Sequence, residues 1–358
     1  MLQIEHIYHF FFDHLYRDFL ISHFPNGVPD DLSLFHYVRT KYPEALMLFY
    51  DQEPLNEKTL KAYRDNSIDA ISKEFAYDKS VLVTSEISKL TSQENMYGLY
   101  YFFHGFAALD WFRGYHAMNY KKKVVRRYDH DFISFNRIIT GDRKYRQDFV
   151  GSLKSRDLLK HGVVSYGVID DSDFEDRLVI DHEQLPGSSS ASIPLAFDCL
   201  EKDAGASPDV DAFWHVVTET VFYYDKLHLT EKIFKPIVSK QPFMLLAAPG
   251  NLKYLRSYGF KTFEGIIDES YDSIKDNDAR IEAVVTQLKW YCDLTDDEKT
   301  EIQRKCEPII EHNFHHFYGK FKEIITDELL DNTKRLFDDI GYDDSGVDYA
   351  TVRKLLIS

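Results

Sequence analysis

The segment Val217–Asp272 reads VTETVFYYDKLHLTEKIFKPIVSKQPFMLLAAPGNLKYLRSYGFKTFEGIIDESYD, and it decides how the rest of the chain is interpreted. An acidic residue, Glu219, precedes a Thr-Glu-Lys triplet at 230–232 that is placed to open a helix. The apolar run Pro242–Ala248 then predicts a buried strand that leads into a glycine-containing turn. A carboxylate can hold ribose hydroxyls, whereas helix-start amides and a lysine can hold phosphates. The segment therefore predicts a site for a nucleotide diphosphate.

Each residue of the triplet has a separate predicted role. Thr230 is the expected N-cap, Glu231 would bind ribose hydroxyls, and Lys232 together with Lys235 would face the phosphates. The alternative is an ordinary capped helix on the protein surface. The strand and turn that follow favour the site, because ligands of open α/β sheets bind at the carboxyl ends of strands.

A strand–helix–strand unit is predicted just before this segment, over residues 132–168. The loop after its first strand, residues 136–146, carries three arginines whose planar guanidinium groups suit a diphosphate. Arg137 and Arg143 rank ahead of Arg146 as candidates. The alternative is solvated surface charge.

The pattern Glu219…Thr230-Glu231-Lys232, followed by Gln-Pro-Phe at 241–243, resembles the donor-binding half of GT-B glycosyltransferases. The likeness is greatest to the α1,3-fucosyltransferase and exostosin-like branches, and to a group of glycosyltransferase-like proteins of phages and bacteria. It covers residues 132–318. The chain departs from fucosyltransferases in its Phe-Lys-Pro after the triplet and in its N-terminal half, so the donor sugar and acceptor do not carry over.

The resemblance implies an α/β fold with two Rossmann-like domains that face a cleft. The helical spacing of apolar residues after 278 separately predicts a helical C-terminus. The resemblance also implies that Glu231 binds the ribose, that Lys232 binds the diphosphate and that Glu219 shapes the donor pocket. No metal or bound cofactor is implied, and the preferred donors are UDP and GDP sugars. The expected domains are an acceptor-side domain at 1–125, a nucleotide-sugar domain at 126–318, and helices at 319–358 that could return to the first domain.

The acceptor side must supply the general base if the transfer inverts the anomeric carbon. Glu53 and then Asp51 are the preferred catalytic candidates, because both follow the predicted buried strand 45–50. The alternative for each is a turn carboxylate that accepts backbone amides. His104 and Asp110, in an aromatic-rich stretch, would either line the acceptor site or belong to the core.

Two further clusters raise the question of a metal. Asp268, Glu269 and Asp272 are acidic neighbours, but helix capping explains them as well. His312 and His316 lie four residues apart on a predicted helix without an evident third ligand, so packing or nucleotide contact is preferred. The sequence thus predicts no metal at the reactive site.

Charge and composition limit the other classes. The 358 residues carry a formal net charge of −16, which counts against a nucleic-acid partner, although the run KKKVVRR at 121–127 could form a local basic surface or a domain linker. Three cysteines without a CxxC pair favour a reducing compartment. No apolar run is long enough to span a membrane, so a cytoplasmic protein is expected.

The leading hypothesis is a metal-independent glycosyltransferase, a hexosyl- or pentosyltransferase. It would move a sugar from a nucleotide-diphosphate donor to a hydroxyl of a glycan or small molecule. One alternative is a phage-type DNA glycosyltransferase acting on a hydroxymethylated base, which would require base flipping. The other is a non-catalytic nucleotide- or glycan-binding protein on the same fold.

Overall fold

The computed structural model describes six parts of the chain. The contacts between residues divide the chain into two compact units. One unit comprises residues 1–103 and 325–358, and the other comprises residues 104–324. Each contains a parallel sheet, so the fold is α/β, as predicted, and it ends in helices. The described residues are 7–11, 46–51, 80–86, 96–166, 180–181 and 211–357.

Among the described elements, four strands come first, helices and strands are interspersed until residue 246, and helices dominate after it. No helix in the described part of the chain is both long and apolar enough to cross a membrane. The α-helices are α1 Phe103–Trp111, α2 Tyr115–Asn119, α3 Tyr145–Ser155, α4 Phe234–Val238, α5 Asn251–Ser257, α6 Asn277–Cys292, α7 Asp296–His316, α8 Lys322–Ile340 and α9 Tyr349–Ile357.

The first unit is built on a four-stranded sheet in the order β1-β2-β3-β4, with all neighbours parallel. Its strands are β1 Ile7–Phe11, β2 Leu46–Asp51, β3 Ser80–Thr84 and β4 Met96–Tyr100.

Helix α8 belongs to the core of this unit. Leu336 and Ile340 pack with Val83 of β3 in one buried cluster. The Asn332 amide donates to the Tyr100 carbonyl oxygen at 2.9 Å. These contacts explain why the end of the chain is grouped with its beginning.

The second unit has a five-stranded parallel sheet in the order β7-β6-β5-β8-β9. Its strands are β5 His130–Asn136, β6 Gly162–Tyr166, β7 Ile180–Asp181, β8 Ala212–Thr218 and β9 Phe243–Leu246. The chain runs outward from β5 through β6 to β7 and then returns to place β8 on the other side of β5. The strand order therefore reverses between β5 and β8, which is the topological switch point of a doubly wound sheet.

The central strands of this sheet are mostly apolar and buried, as expected for a parallel sheet covered by helices. All seven residues of β8 are buried. Helix α3 buries Phe149 and Leu153, and helix α6, with Val284 and Leu288 buried, packs against α3 and β9. The central strands β5 and β8 are therefore held by packing up to the residues at which they end.

The second unit comprises residues 104–324, and the domain limits at 125 and 318 stay predictions from sequence. Helix α2 and Phe112, which follows α1, contact α7 and the π-helix Phe317–Phe321 after it. The Tyr318 hydroxyl donates to the Phe112 carbonyl oxygen at 2.8 Å, and the His116 ring stacks on Phe314 at 5.6 Å between centroids.

Gly162 tests the pairing of β5 with β6. It lies opposite Phe132 in the register, and a Cβ atom placed on it would lie 2.5 Å from the Phe132 ring. We expect Gly162→Ala to lower the free energy of unfolding by about 1–3 kcal/mol, the usual cost of overpacking a core. Urea unfolding followed by circular dichroism measures it.

Gly151 is the matched control, because it lies in helix α3 with no atom within 4 Å of an added Cβ. Gly151→Ala should raise the free energy of unfolding by roughly 0.5–1 kcal/mol, since alanine is the better helix former. Equal effects of the two substitutions would contradict the described packing of Phe132 on Gly162.

Candidate functional site

The candidate site lies at the carboxyl ends of β5 and β8, where the strand order reverses. Asn136 ends β5 and Thr218 ends β8, and both are buried. The Thr218 hydroxyl donates to the Asn136 side-chain oxygen at 2.9 Å, while the Asn136 amide nitrogen donates to Ser134 at 3.3 Å. This buried polar network joins the carboxyl ends of β5 and β8. Sequence reasoning missed it, because neither residue stands in a recognisable motif.

Arg146 supports this polar network, and its side chain is buried rather than exposed to a ligand. Its guanidinium is buried and donates to the carbonyl oxygens of Ile138 at 2.7 Å, Thr218 at 2.8 Å and Glu219 at 3.3 Å. The Tyr145 hydroxyl also donates to the Glu219 carbonyl oxygen. Of the three arginines proposed for a diphosphate, this one is used to hold the end of β8.

Glu219 follows β8 directly, and its carboxylate is completely buried. One oxygen accepts the Thr230 backbone amide at 3.1 Å, and the other accepts the Thr230 hydroxyl at 2.6 Å and the Thr220 amide at 3.1 Å. A buried carboxylate with three donors is well satisfied. Glu219 therefore fixes the helix start at 230 relative to the strand end.

Thr230 is the N-cap of the next helical segment, as the sequence predicts. Its backbone is extended, and its hydroxyl accepts the Lys232 amide at 3.4 Å. The segment starts as a 3-10 helix over Glu231–Ile233 and continues as α4. Glu231 and Lys232 thus lie in the first turn, as expected.

The Lys232 ammonium contacts three other residues of the site. It lies 3.0 Å from a Glu231 carboxylate oxygen and 3.2 Å from each of the Thr220 and Thr230 hydroxyl oxygens. About a third of its side chain is exposed, at 32%, whereas the Glu231 side chain is only 6% exposed. Lysine is therefore the more exposed member of this ion pair.

Glu231 is held ionised by its neighbours. Burial by itself would raise the pKa of Glu231, but the Lys232 ammonium and the His104 ring outweigh burial and hold that pKa well below its usual range. The His104 Nδ1 atom lies 3.4 Å from the second carboxylate oxygen, and the His104 ring packs edge-on against His228 at 5.2 Å. Both histidines are buried. His104 is thus placed beside Glu231, a partner that sequence spacing does not reveal.

Lys235 adds a second cation one helical turn further on. Burial lowers the pKa of Lys235 to about 8, although Glu231 acts in the opposite direction. Its Nζ lies 5.4 Å from the centre of the Phe135 ring, at the end of β5. The buried His215 beneath has a pKa lowered to about 3, by burial and then by Lys235, so it is neutral at ordinary pH.

Arg137 and Arg143 follow the carboxyl end of β5. Arg137 is exposed directly after the strand, and Arg143 is half-buried in a 3-10 turn over Gly141–Arg143. The Tyr224 hydroxyl donates to Asp142 in that turn at 3.1 Å, which ties the arginine loop to the segment between Glu219 and Thr230. Both arginines therefore remain candidates for an anion at this edge.

The turn after β9 does not offer a second phosphate cradle. Asp272 caps helix α5, and its carboxylate accepts the amides of Leu252 at 2.9 Å and Lys253 at 3.2 Å. The Gly250 amide donates to the Asp272 carbonyl oxygen at 2.7 Å. The chain's own carboxylate occupies the place that an external anion would take.

The remaining acids of that cluster also have partners within the protein. Glu269 accepts the Thr262 hydroxyl at 2.6 Å and the Phe263 amide at 2.7 Å. Asp268 accepts the Ser270 amide at 2.9 Å. Asp268 is thus the N-cap of the 3-10 helix Glu269–Ser273, whereas Glu269 pairs in addition with Arg256 at 3.1 Å.

The histidine pair on α7 has a structural role as well. His312 Nε2 lies 3.0 Å from the Gly259 carbonyl oxygen, and His316 Nε2 lies 2.7 Å from that of Tyr258. The two rings stack at 5.6 Å. They contact the segment that ends helix α5, which agrees with a packing role, and a nucleotide contact stays a prediction.

The basic run at 121–127 is partly engaged within the second unit. The Lys122 ammonium donates to the Ser239 carbonyl oxygen at 2.9 Å, and Arg126 pairs with Asp211 at 2.8 Å. The basic run is thus fixed to the second unit rather than being a wholly solvated linker.

Asp110, the other polar residue of the aromatic stretch that contains His104, pairs with Arg113 near the surface.

The two candidate bases cannot be placed in this way. Glu53 lies outside the described residues. Asp51 is the last residue of β2, but its side chain also lies outside the described part. Both remain predictions from sequence.

Neither a scan against protein-family models nor a search of curated proteins finds a match for this chain. The chemistry of the site therefore has to be inferred from the arrangement of its own residues.

Thr230 tests whether Glu219 organises the site. Thr230→Val removes the hydroxyl that donates to Glu219 at 2.6 Å and leaves a buried carboxylate with one donor fewer. We expect the free energy of unfolding to fall by about 1–3 kcal/mol. Thr230→Ser keeps the hydroxyl and should cost about 1 kcal/mol or less, the value of the lost methyl group. Urea titration of both variants decides, and equal losses would contradict this role of the hydroxyl.

Proposed function

We propose that this protein is a glycosyltransferase that binds a nucleotide-diphosphate sugar at the Glu231–Lys232 site. The observation that carries the proposal is a buried, ionised carboxylate beside a partly exposed lysine, in a helix start at the topological switch point. A nucleotide diphosphate offers ribose hydroxyls to the first group and negative charge to the second. The resemblance to GT-B donor domains supports the same assignment.

The carboxylate of Glu231 has capacity for the ribose. It offers about four acceptor positions, and Lys232 and His104 lie beside one oxygen each. Since the side chain is only 6% exposed, the ribose would reach it as Lys232 turns from Glu231 toward the phosphates. The bound nucleotide would thus replace a contact inside the protein with two contacts to itself.

The positive charge needed for the leaving diphosphate can come from the protein. Lys232 and Lys235 lie near one another at the helix start, and Arg137 and Arg143 follow the adjacent strand. Arginine and lysine side chains can stabilise a departing diphosphate electrostatically. On this view the transfer is metal-independent, and Glu53 or Asp51 would act as base if it inverts.

The two units, each with a parallel sheet, support a GT-B arrangement of two Rossmann-like domains. In that arrangement the unit of residues 104–324 binds the donor, and the other unit binds an acceptor hydroxyl of a glycan or small molecule. A modified DNA base is disfavoured as acceptor, because the chain is acidic overall and Lys122 and Arg126 are held by internal contacts.

A panel of UDP, GDP, CMP and dTDP sugars tests the proposal. Binding to the folded state should raise the melting temperature with one nucleotide class. Glu231→Ala should then weaken that binding roughly 10–100-fold in calorimetry, the loss expected for hydrogen bonds to a charged group. The variant should remain folded by circular dichroism.

Glu307→Ala is the matched control, because Glu307 is an exposed glutamate of α7. It should bind as the wild type does. No stabilisation by any member of the panel would contradict the proposal, and so would equal affinities for Glu231→Ala and the control. Binding without transfer of the sugar to any acceptor would favour the non-catalytic alternative.

The lowered pKa of Lys235 gives a pH dependence with a definite sign. With its pKa at about 8, Lys235 is charged at pH 6.5 and mostly neutral at pH 9. A bound diphosphate favours the charged form, so binding at pH 9 should take up about one proton and be roughly tenfold weaker than at pH 6.5. Calorimetry in two buffers of different ionisation enthalpy measures the uptake.

Lys235→Met should remove both the proton uptake and the affinity loss that comes from it. Lys253→Met, an exposed lysine on α5, serves as the control and should retain them. An unchanged proton uptake in Lys235→Met would place the titrating group elsewhere.

A further inference from the structure

A second polar cluster lies at the opposite edge of the same sheet. Asp131 is at the start of β5, His161 immediately precedes β6, and Cys292 ends helix α6. Asp131 and Asn136 are five positions apart along β5, so the two edges are roughly 16 Å apart. The cluster is therefore distinct from the proposed donor site.

The three side chains bring one oxygen, one nitrogen and one sulfur atom to a common point. These ligand atoms all lie within 4.8 Å of one another, and it is the only such group of three found among the described residues. The His161 Nδ1 atom lies 3.1 Å from an Asp131 carboxylate oxygen. Ligand atoms of a tetrahedral zinc ion lie about 3.3–3.8 Å apart, so small side-chain rotations suffice to admit one.

Asp131 is arranged to bind with one oxygen. Its Oδ1 atom lies 2.7 Å from the Lys299 ammonium, whereas Oδ2 faces His161. Lysine thus orients the carboxylate from one side and leaves the other oxygen directed at the histidine. Metal-binding carboxylates commonly have such an outer partner.

The cluster is reached from solvent by a pocket of about 370 Å³. Asp131 and His161 line it, and their side chains are 15% and 30% exposed, while Cys292 lies buried behind them. A metal ion could therefore enter from the pocket, and a water molecule from the same side could fill its fourth position.

We propose that Asp131, His161 and Cys292 form a binding site for a zinc-class divalent metal ion. The combination of thiolate, imidazole and carboxylate suits zinc and its analogue cobalt better than magnesium or calcium, which prefer oxygen ligands alone. The ion would join the starts of β5 and β6 to the end of α6. It would strengthen the edge of the sheet away from the donor site.

Cobalt(II) added to the full chain after chelator treatment tests the proposal. We expect one ion per chain and a thiolate-to-cobalt charge-transfer band, and zinc should displace the cobalt and raise the melting temperature. Cys292→Ser should abolish the band. Cys306→Ser is the matched control, since Cys306 is the other buried free cysteine in the described part and should leave the band unchanged.

His161→Gln provides a second variant that does not disturb a buried position. It should weaken cobalt binding at least as much as the roughly 10–100-fold that loss of a merely orienting partner costs. Absence of the band in the wild type, or an equal band in Cys292→Ser and Cys306→Ser, would overturn the proposal. If Cys292→Ser does not fold, wild-type affinity in His161→Gln would overturn it instead.

Discussion

The contact between the buried Glu219 carboxylate and Thr230 is the constraint on which the candidate site depends. A carboxylate removed from water is costly unless donors surround it, and Thr230 supplies two of its three. Since Glu219 directly follows the central strand β8 and Thr230 begins the next helix, satisfying that charge fixes the helix start at the switch point. Glu231 and Lys232 are placed by the same hydrogen bonds.

The charges of the second unit are divided between the two edges of its sheet. At the carboxyl edge, Glu231 lies beneath Lys232, and the exposed part of the pair is positive. At the amino edge, Asp131 lies between Lys299 and His161. Between these edges, β5 and β8 are mostly apolar, with Ser134 and His215 as the buried polar exceptions. The two polar clusters therefore lie at opposite ends of the same sheet.

Much of the local structure was predictable from the sequence. The apolar runs gave β2, β5 and β9 to within a few residues, and the N-cap preference of threonine located the helix start at Thr230. The roles of the neighbouring charges were less accessible. Arg146 was one of three similar arginines in a loop, and only its burial against three carbonyl oxygens separates it from Arg137 and Arg143. Periodicity cannot predict which side of a loop is covered.

The sequence by itself determined the α/β class and the first-turn position of Glu231 and Lys232, because hydrophobic runs and capping act over a few residues. Only the tertiary structure placed His104 beside Glu231, and Asp272 against the start of helix α5. Only the tertiary structure brought Asp131, His161 and Cys292 together. These groups are far apart in the chain. They meet because parallel strands and their crossovers bring distant segments to one edge of a sheet. Local sequence signals cannot predict which distant segments will meet there.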